Sequence, residues 1–206
     1  MTNTKHSRRQ FLRKMGLLSA GAALSSPAVA ATVTSSASPS LASPVALASI
    51  HKSLAIDSDM TLAFNNLHTG ESLKTTFFAE GQFIDEGIQA ISYLLRDHRN
   101  NQVGLMNPEL MVMLHDLQQT LGATKPFEVI SGYRSAETNA MLSQRSNKVA
   151  KKSLHMQGKA IDIRIPGIQL TNVHTAARQM NQGGVGLYTR SNFVHLDTGR
   201  PRFWGS

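Results

Sequence analysis

The stretch from Ser153 to Ile165 constrains this chain more than any other, because it joins a histidine to a strand that carries an aspartate. Residues 160–165 alternate apolar side chains with Asp162 and Arg164, a pattern typical of a β-strand with two different faces. Asp162 therefore points away from the core-facing side of the strand. The core-facing positions are Ile161, Ile163 and Ile165. His155 precedes the strand, and an imidazole and a carboxylate in this arrangement suit a divalent metal such as zinc.

A second alternation near the C-terminus, residues 191–197, offers a third metal ligand. His195 and Asp197 share one face of this predicted strand, and the apolar residues share the other. Two short neighbouring strands would bring Asp162 and His195 together, with His155 closing the site from its loop. Two histidines and one carboxylate leave a fourth position for water, which distinguishes a catalytic zinc site from a structural one. The predicted ligands are therefore His155, Asp162 and His195, and the predicted cofactor is Zn²⁺.

Three motifs in a fixed order connect this sequence to a known group of enzymes. They are Ser-Gly-Tyr-Arg-Ser at 131–135, Ser-x-His-x-x-Gly-x-Ala-x-Asp at 153–162 and Phe-Val-His-x-Asp at 193–197. Together they resemble the M15-type zinc peptidases, which are D,D-carboxypeptidases and L,D- or D,D-endopeptidases acting on peptidoglycan. The resemblance covers roughly residues 77–204 and is strongest to the murein endopeptidase K branch. It implies the hedgehog-like zinc peptidase fold of that group.

The resemblance also assigns roles to residues beside the metal. Arg134 matches an arginine that contacts the substrate and stabilises the developing oxyanion, and a fixed guanidinium suits that charge. Many peptidases of this group place a carboxylate base three residues before the last histidine, but this chain has Asn192 there, which cannot act as a base. Asp197 shares the strand face of His195. It is either the general base or the acceptor that orients His195.

The remaining patterns predict an α+β fold, with a small, mainly antiparallel sheet and helices packed on one side. Residues 60–79 predict a hairpin, and residues 127–130 predict a strand. Phe83 belongs to the apolar face of the first predicted helix. Candidate caps of the second, third and last predicted helices are Asn107, Ser135 and Thr171, and His174 is expected on the surface of the last one. The predicted helices span residues 82–98, 108–121, 136–147 and 170–181.

The net charge of +8 is largely a property of the N-terminus. The first thirty residues hold five basic residues and no acidic ones, so that 16 basic and 13 acidic residues remain, a net charge of +3. Because no Lys/Arg stripe with interleaved aromatics remains, we expect no nucleic-acid partner. The glycine-rich segment 183–188 lacks the lysine and spacing of a phosphate loop, which excludes nucleotide binding. The absence of cysteine excludes disulfides, a thiolate metal site and a cysteine nucleophile.

The N-terminal region predicts export across a membrane. Arg8 and Arg9 lie in a twin-arginine motif, an apolar run follows at 15–24, and Ala-Val-Ala at 28–30 offers a cleavage site. The predicted divisions are a signal peptide at 1–30, a flexible linker at 31–49 and a zinc peptidase domain at 50–206. They place the protein in the periplasm, with a transient membrane tether if the signal is not cleaved.

Three functions are compatible with these features. The first is a periplasmic zinc metallopeptidase that hydrolyses peptidoglycan cross-links containing meso-diaminopimelate, with stem peptides as its partners. The second is a D,D- or L,D-carboxypeptidase that trims the stem peptides. The third is a peptidoglycan-binding module that keeps the fold without catalysis, which the asparagine at position 192 favours.

Overall fold

The computed structural model describes residues 59–146 and 149–205. The predicted signal peptide at 1–30 and the linker at 31–49 lie outside the described residues, and so does the start of the predicted domain at 50–206. Within the described ranges, no helix has both the length and the apolar character that a membrane span requires.

One eight-stranded sheet runs through the described part of the chain, with the strand order β3-β2-β1-β4-β5-β7-β6-β8. The strands are β1 Met60–Asn66, β2 Ser72–Ala79, β3 Gln82–Phe83, β4 Phe127–Ser131, β5 Ala160–Arg164, β6 Gly184–Tyr188, β7 Phe193–Asp197 and β8 Arg202–Trp204. Two neighbouring pairs, β1 with β4 and β6 with β8, are parallel; the other five are antiparallel. The predicted mainly antiparallel sheet and the α+β class are confirmed.

Four helices and one short 3₁₀ turn complete the described structure. They are α1 Asp85–Leu94, α2 Pro108–Thr120, α3 Ala136–Arg145, the 3₁₀ turn Leu154–Gln157 and α4 Leu170–Met180. The predicted caps of α2 and α3 are present, because the Asn107 side chain accepts from two backbone N–H groups and Ser135 accepts from that of Thr138.

The first helix is shorter than the predicted span 82–98. Residues 82–83 instead form β3, which returns from β2 through a turn where Glu80 and Gly81 both have positive φ. Phe83 is 44% exposed and packs edge-on against Phe78, so its predicted place on a buried helix face is wrong. A tight turn and strand pairing here override the helical periodicity.

The last helix also departs from the sequence expectation. Gln169, rather than Thr171, occupies its N-cap position. His174 is only 7% exposed, so the predicted surface position is wrong. Helix α4 packs on β6, β7 and α2. The helical turn from Val173 to Ala177 is buried in this contact, and it contains His174. Burial lowers the pKa of His174 below its ordinary value.

Within the described residues, the hydrophobic core lies on one face of the sheet. The isoleucines of β5 and the apolar residues of β7 join the buried faces of α1, α2 and α4 there. The helix α3 adds no residue to this core and instead contacts Arg134 through Asn139. Asp162 and His195 are directly opposed in the β5–β7 register and face away from the core. The sheet thus separates the packed core from the polar face that carries the site.

Candidate metal centre

Three side chains from two strands and one loop converge at the polar face of the sheet. Ligand atoms of His155, Asp162 and His195 all lie within 4.8 Å of one another. His155 and Asp162 are 3% and 6% exposed, so the group is nearly closed to bulk solvent except on its cleft side. The structure therefore brings together the three residues that the sequence predicts as metal ligands.

The histidine from the loop is held in one orientation. The 3₁₀ turn carrying His155 ends at Gly158, whose φ of +65° belongs to the left-handed region. A Cβ at Gly158 would lie 2.1 Å from the carbonyl oxygen of Leu105, so this close packing requires glycine. The Nδ1 of His155 lies 2.7 Å from the carbonyl oxygen of Gly132, to which it donates, and this leaves Nε2 free to bind a cation.

The spacing of one donor pair matches that of two ligands on a tetrahedral metal ion. Ligand atoms about 2.0–2.1 Å from a zinc ion are roughly 3.3 Å apart. The Nε2 of His155 lies 3.4 Å from Oδ1 of Asp162, close to that value. The Nδ1 of His195 lies 2.8 Å from the same oxygen, at hydrogen-bond distance. Two nitrogen donors and one carboxylate in this compact, largely buried group are a candidate metal-binding set.

The charges of the site reinforce this arrangement. Burial raises the pKa of Asp162, but the charge of His155 and hydrogen bonds from both histidines outweigh burial and hold that pKa well below its ordinary value. Burial lowers the pKa of His195, but hydrogen bonds to Asp162 and Asp197 outweigh it and raise that pKa to about 9. The pocket therefore keeps an ionised carboxylate and favours positive charge beside it.

Asp197 is fully buried and both of its oxygens are occupied. Its Oδ2 lies 2.9 Å from Nε2 of His195 and accepts from Nη2 of Arg202 at 2.7 Å. Its Oδ1 accepts from Nη1 of Arg202 and from the backbone N–H of Gly199, both at 2.9 Å. Burial raises the pKa of Asp197, yet these hydrogen bonds keep it well below the ordinary value. The sequence leaves two roles open for Asp197. This geometry favours the role of orienting His195 over that of general base.

Arg134 enters the same cleft from the loop after β4. Its guanidinium donates to the side-chain oxygens of Asn139 and Ser131, both at 3.3 Å, and neither partner carries a charge. Its Nε is buried without a hydrogen-bond partner. Burial lowers the pKa of Arg134 while the charge of Asp162 opposes that shift. A half-buried cation with neutral partners is poised to meet an anion in the cleft.

The cleft around these groups has a volume of about 320 Å³. One wall is aromatic: the rings of Tyr188 and Phe193 stack at 4.6 Å, and Trp204 donates from Nε1 to the hydroxyl of Tyr188. The indole of Trp204 lies 5.3 Å from the ring of His195. Lys152, from the loop before His155, also lines the cleft. The cleft thus combines an apolar surface with positive charge.

Asn192 lies in the tight turn between β6 and β7, outside the cleft lining. Its φ of +55° is a conformation in which asparagine is enriched, and this conformation accounts for the residue type. Among the described residues that line the cleft, the carboxylates are those of Asp162 and Asp197. Both are already engaged by histidines.

Comparison with known proteins agrees with this geometry. A family model described as "Peptidoglycan L,D-endopeptidase MepK" matches residues 55–204. Peptidoglycan L,D-endopeptidase MepK of Escherichia coli (strain K12) is 50% identical over 143 residues, covering 69% of this chain and 79% of that protein. The probable peptidoglycan L,D-endopeptidase MepK of Haemophilus influenzae is 46% identical over 144 residues, covering 69% of this chain and 77% of that protein.

The chain belongs to the MepK family. This confirms the resemblance to the M15-type, murein endopeptidase K-like branch. The matched region contains the three candidate ligands, Arg134 and Asp197.

Sequence reasoning missed three residues that support this MepK-family site. Arg202 anchors Asp197, Gly132 fixes His155 through its carbonyl group, and Asp97 holds the loop that carries Arg134. Each acts across a contact between segments far apart along the chain. A periodicity pattern shows which face a residue occupies but carries no signal for such partners.

Proposed function

We propose that this chain is a zinc-dependent peptidoglycan endopeptidase that hydrolyses cross-links containing meso-diaminopimelate. The observation that carries the proposal is the convergence of His155, Asp162 and His195 at the base of one cleft. The relatives at 50% and 46% identity are named as peptidoglycan L,D-endopeptidases, which supports the same substrate class for this chain.

Zinc is the proposed metal because the donors are two imidazoles and one carboxylate in a compact group. Zinc accepts this mixed set, whereas calcium and magnesium prefer six or more oxygen ligands. The residues that would hold the metal are His155 through Nε2, His195 through Nδ1 and Asp162 through Oδ1. When bound, zinc supplies Lewis acidity that polarises a peptide carbonyl and lowers the pKa of water toward about 7.

The protein groups around the metal hold its ligands and the reacting peptide in place. The carbonyl of Gly132 keeps the proton of His155 on Nδ1, and Asp197 does the same for Nε2 of His195. Arg202 keeps the carboxylate of Asp197 ionised and aimed at His195. We therefore assign Asp197 as the residue that orients His195.

Arg134 is the proposed electrostatic catalyst. Attack on a peptide carbonyl produces negative charge on its oxygen, and a guanidinium that is already positioned and partly desolvated stabilises that charge with little reorganisation. The neutral partners Asn139 and Ser131 hold the guanidinium without neutralising it. Removal of one such donor typically costs about 10²–10³ in kcat.

The aromatic wall and the basic rim suit an extended, anionic peptide. Tyr188, Phe193 and Trp204 offer flat apolar surface to the stem peptide, and Lys152 offers positive charge to its carboxylates. We propose that these groups position the cross-link over the metal.

The proposed location is the periplasm, where peptidoglycan lies. The twin-arginine motif and the Ala-Val-Ala site at 28–30 support export by the twin-arginine route. A signal that is not cleaved would tether the domain transiently to the membrane, and the segment 31–49 would provide the reach.

Digestion of purified sacculi tests the proposal. Zinc-loaded protein is incubated with sacculi, with and without a chelator, and the products are identified by mass spectrometry. We expect cross-linked muropeptides to be cut, and the cutting to be lost with the chelator and in His155→Ala. His115→Gln, which changes a histidine of α2 away from the cleft, is the matched control and should retain activity.

Three results would reject the proposal in different ways. Release of a terminal residue with intact cross-links would identify a carboxypeptidase. Binding to sacculi without products would identify a binding module. Cutting that persists in the presence of the chelator and in His155→Ala would remove the metal centre from the mechanism.

A further inference from the structure

The loop from Gly132 to Ser135 supports two parts of the site at once. The carbonyl oxygen of Gly132 accepts from Nδ1 of His155 at 2.7 Å, and Arg134 projects its guanidinium into the cleft from the same loop. The backbone N–H of Arg134 also donates to the carbonyl of His155 at 3.2 Å. A shift of this short loop would therefore move a candidate metal ligand and the cleft cation together.

The loop is held from behind by the segment that follows α1. The backbone N–H of Tyr133 donates to the carbonyl of Leu95 at 2.7 Å. A Cβ at Gly132 would lie 2.5 Å from the same oxygen, so the two backbones are in direct contact there. The end of α1 is thus the surface against which the loop is positioned.

Asp97 makes the polar part of this contact. Its Oδ2 accepts from the backbone N–H of Ser135 at 2.9 Å and from the hydroxyl of Ser135 at 2.8 Å, while its Oδ1 accepts from the backbone N–H of Arg99 at 3.1 Å. Asp97 is 1% exposed and Ser135 is fully buried. Ser135 also caps α3 by accepting from the N–H of Thr138. One carboxylate therefore fixes the end of the loop and the start of the next helix.

Asp97 also contributes charge. No Lys, Arg or His nitrogen in residues 59–146 and 149–205 forms an ion pair with it. Burial raises the pKa of Asp97, but hydrogen bonds from Thr138, Ser135 and Arg99 lower it below the ordinary value, so the carboxylate is ionised at neutral pH. Its field favours the charged form of Arg134. The negative charge stabilises the cleft cation without forming a direct ion pair with it.

We propose that Asp97 is a positioning residue for this site, acting through Ser135 and the loop 132–135 on both Arg134 and His155. The inference rests on the proposed function for the catalytic meaning of those two residues. Asp97 touches neither the cleft lining nor the candidate ligands, so it positions them through the loop that it anchors, while its charge acts on Arg134 at a distance.

Asp97→Asn tests this inference, because it keeps the shape of the side chain and removes the charge and one acceptor. We expect zinc affinity, measured by chelator competition, to fall roughly ten-fold, since partners of ligating groups typically contribute 10–100-fold. We expect kcat on a cross-linked muropeptide to fall at least ten-fold with KM changed less than two-fold. The ¹⁵N NMR signal of Nδ1 of His155 should shift, because its hydrogen bond to Gly132 changes.

Two further variants separate positioning from general stability. Ser135→Ala removes the hydroxyl donor but keeps the N–H, and should give the same effects at smaller size. Asn66→Ala is the matched control, because Asn66 is also buried and donates to the carbonyl of Leu94 at the end of the same helix, but does not contact the loop. It should lower Tm and leave zinc affinity, kcat and the His155 signal unchanged.

The inference is overturned if Asp97→Asn binds zinc like the wild type with an unchanged His155 signal. It is also overturned if Asn66→Ala reduces zinc affinity as much as Asp97→Asn at equal loss of Tm. If Asp97→Asn does not fold, Ser135→Ala decides by the same measurements. Zinc affinity and the NMR signal can be measured without hydrolysis. If the wild type fails to cut sacculi, the proposed function is rejected, and these two measurements still decide the role of Asp97.

Discussion

At the scale of single residues, three buried aspartates differ in role because they differ in partners. Asp162 faces two histidines and belongs to the candidate metal centre. Asp197 lies between Arg202 and one of those histidines and pairs with both. Asp97 is surrounded by neutral donors and fixes a loop. Residue type is the same in each case, and the environment sets the chemistry.

The two roles considered for Asp197 make different predictions for Asp197→Asn. If Asp197 orients His195, as its contacts favour, the amide weakens that hydrogen bond, and zinc affinity and kcat both fall about 10–100-fold. Zinc affinity by chelator competition and kcat by muropeptide cleavage check this. Unchanged zinc affinity with a much lower kcat would instead assign Asp197 as the general base.

At the scale of elements, neighbouring strands shape the cleft as well as carrying its ligands. Strand β6 lies between β7 and β8, and Gly186 sits opposite both His195 and Trp204 in the register. A Cβ at Gly186 would lie 2.4 Å from the indole. The missing side chain lets Trp204 lie against β6 and next to His195.

Gly186→Ala should push the indole out of the cleft wall. We expect the hydrogen bond from Trp204 to Tyr188 to break and KM to rise several-fold, with zinc affinity retained. Since Trp204 is the only tryptophan, its fluorescence emission should shift to longer wavelength. Val185→Ala, on the core face of the same strand, should lower Tm without this shift. An unchanged emission spectrum and KM in Gly186→Ala would contradict the prediction.

The turn between β1 and β2 meets the segment after α1 through two stacked histidines. The rings of His68 and His98 are 3.8 Å apart and nearly parallel. Burial and the positive charges of Arg99, His68 and Arg134 lower the pKa of His98 to about 4, although Asp97 opposes them. The neutral ring is therefore the form that the folded protein favours.

This shift predicts a loss of stability in acid. Between about pH 6.5 and pH 4 the unfolded chain binds a proton at His98 and the folded protein does not, so folding weakens as the pH falls through this window. His98→Gln should therefore lose less Tm than the wild type between pH 7 and pH 5. An NMR titration of His98 checks the cause directly, and a midpoint near the ordinary value would refute it.

At the scale of the whole molecule, one sheet serves two purposes. Its inner face packs on α1, α2 and α4, and the opposite face of β5 and β7 presents the candidate ligands. Two paired strands and a hydrogen-bonded turn hold the donors at fixed spacing, so little ordering entropy opposes metal binding.

A preformed site predicts that zinc stabilises the folded protein. Zinc at about 100 times its Kd should add about 2.7 kcal/mol to the free energy of unfolding, or roughly 5–10 °C in Tm. Calorimetry with and without zinc checks this, and a chelator should reverse the shift. His155→Ala should lose the response and His115→Gln should keep it. An equal rise of Tm in His155→Ala would mean that zinc binds elsewhere.

The sequence determined the local parts of this protein. Alternation in β5 and β7 identified Asp162 and His195 as residues of a polar strand face, and short-range capping predicted the starts of α2 and α3. These features depend on residues a few positions apart, whose geometry the backbone period fixes. The resemblance to the M15-type zinc peptidases added the expected role of Arg134 and the family of the chain.

Only the tertiary structure decided which side chains from distant segments contact one another. Three features depend on which segments pack together. They are the contact of Asp197 with Arg202, the contact of Asp97 with Ser135 and the burial of His174. The same holds for the early end of α1, where backbone contacts with the loop 132–135 replace further helical turns. Periodicity orders residues within one element, but contacts between distant elements are set by the packing of the whole chain, and that is why they carried no local signal.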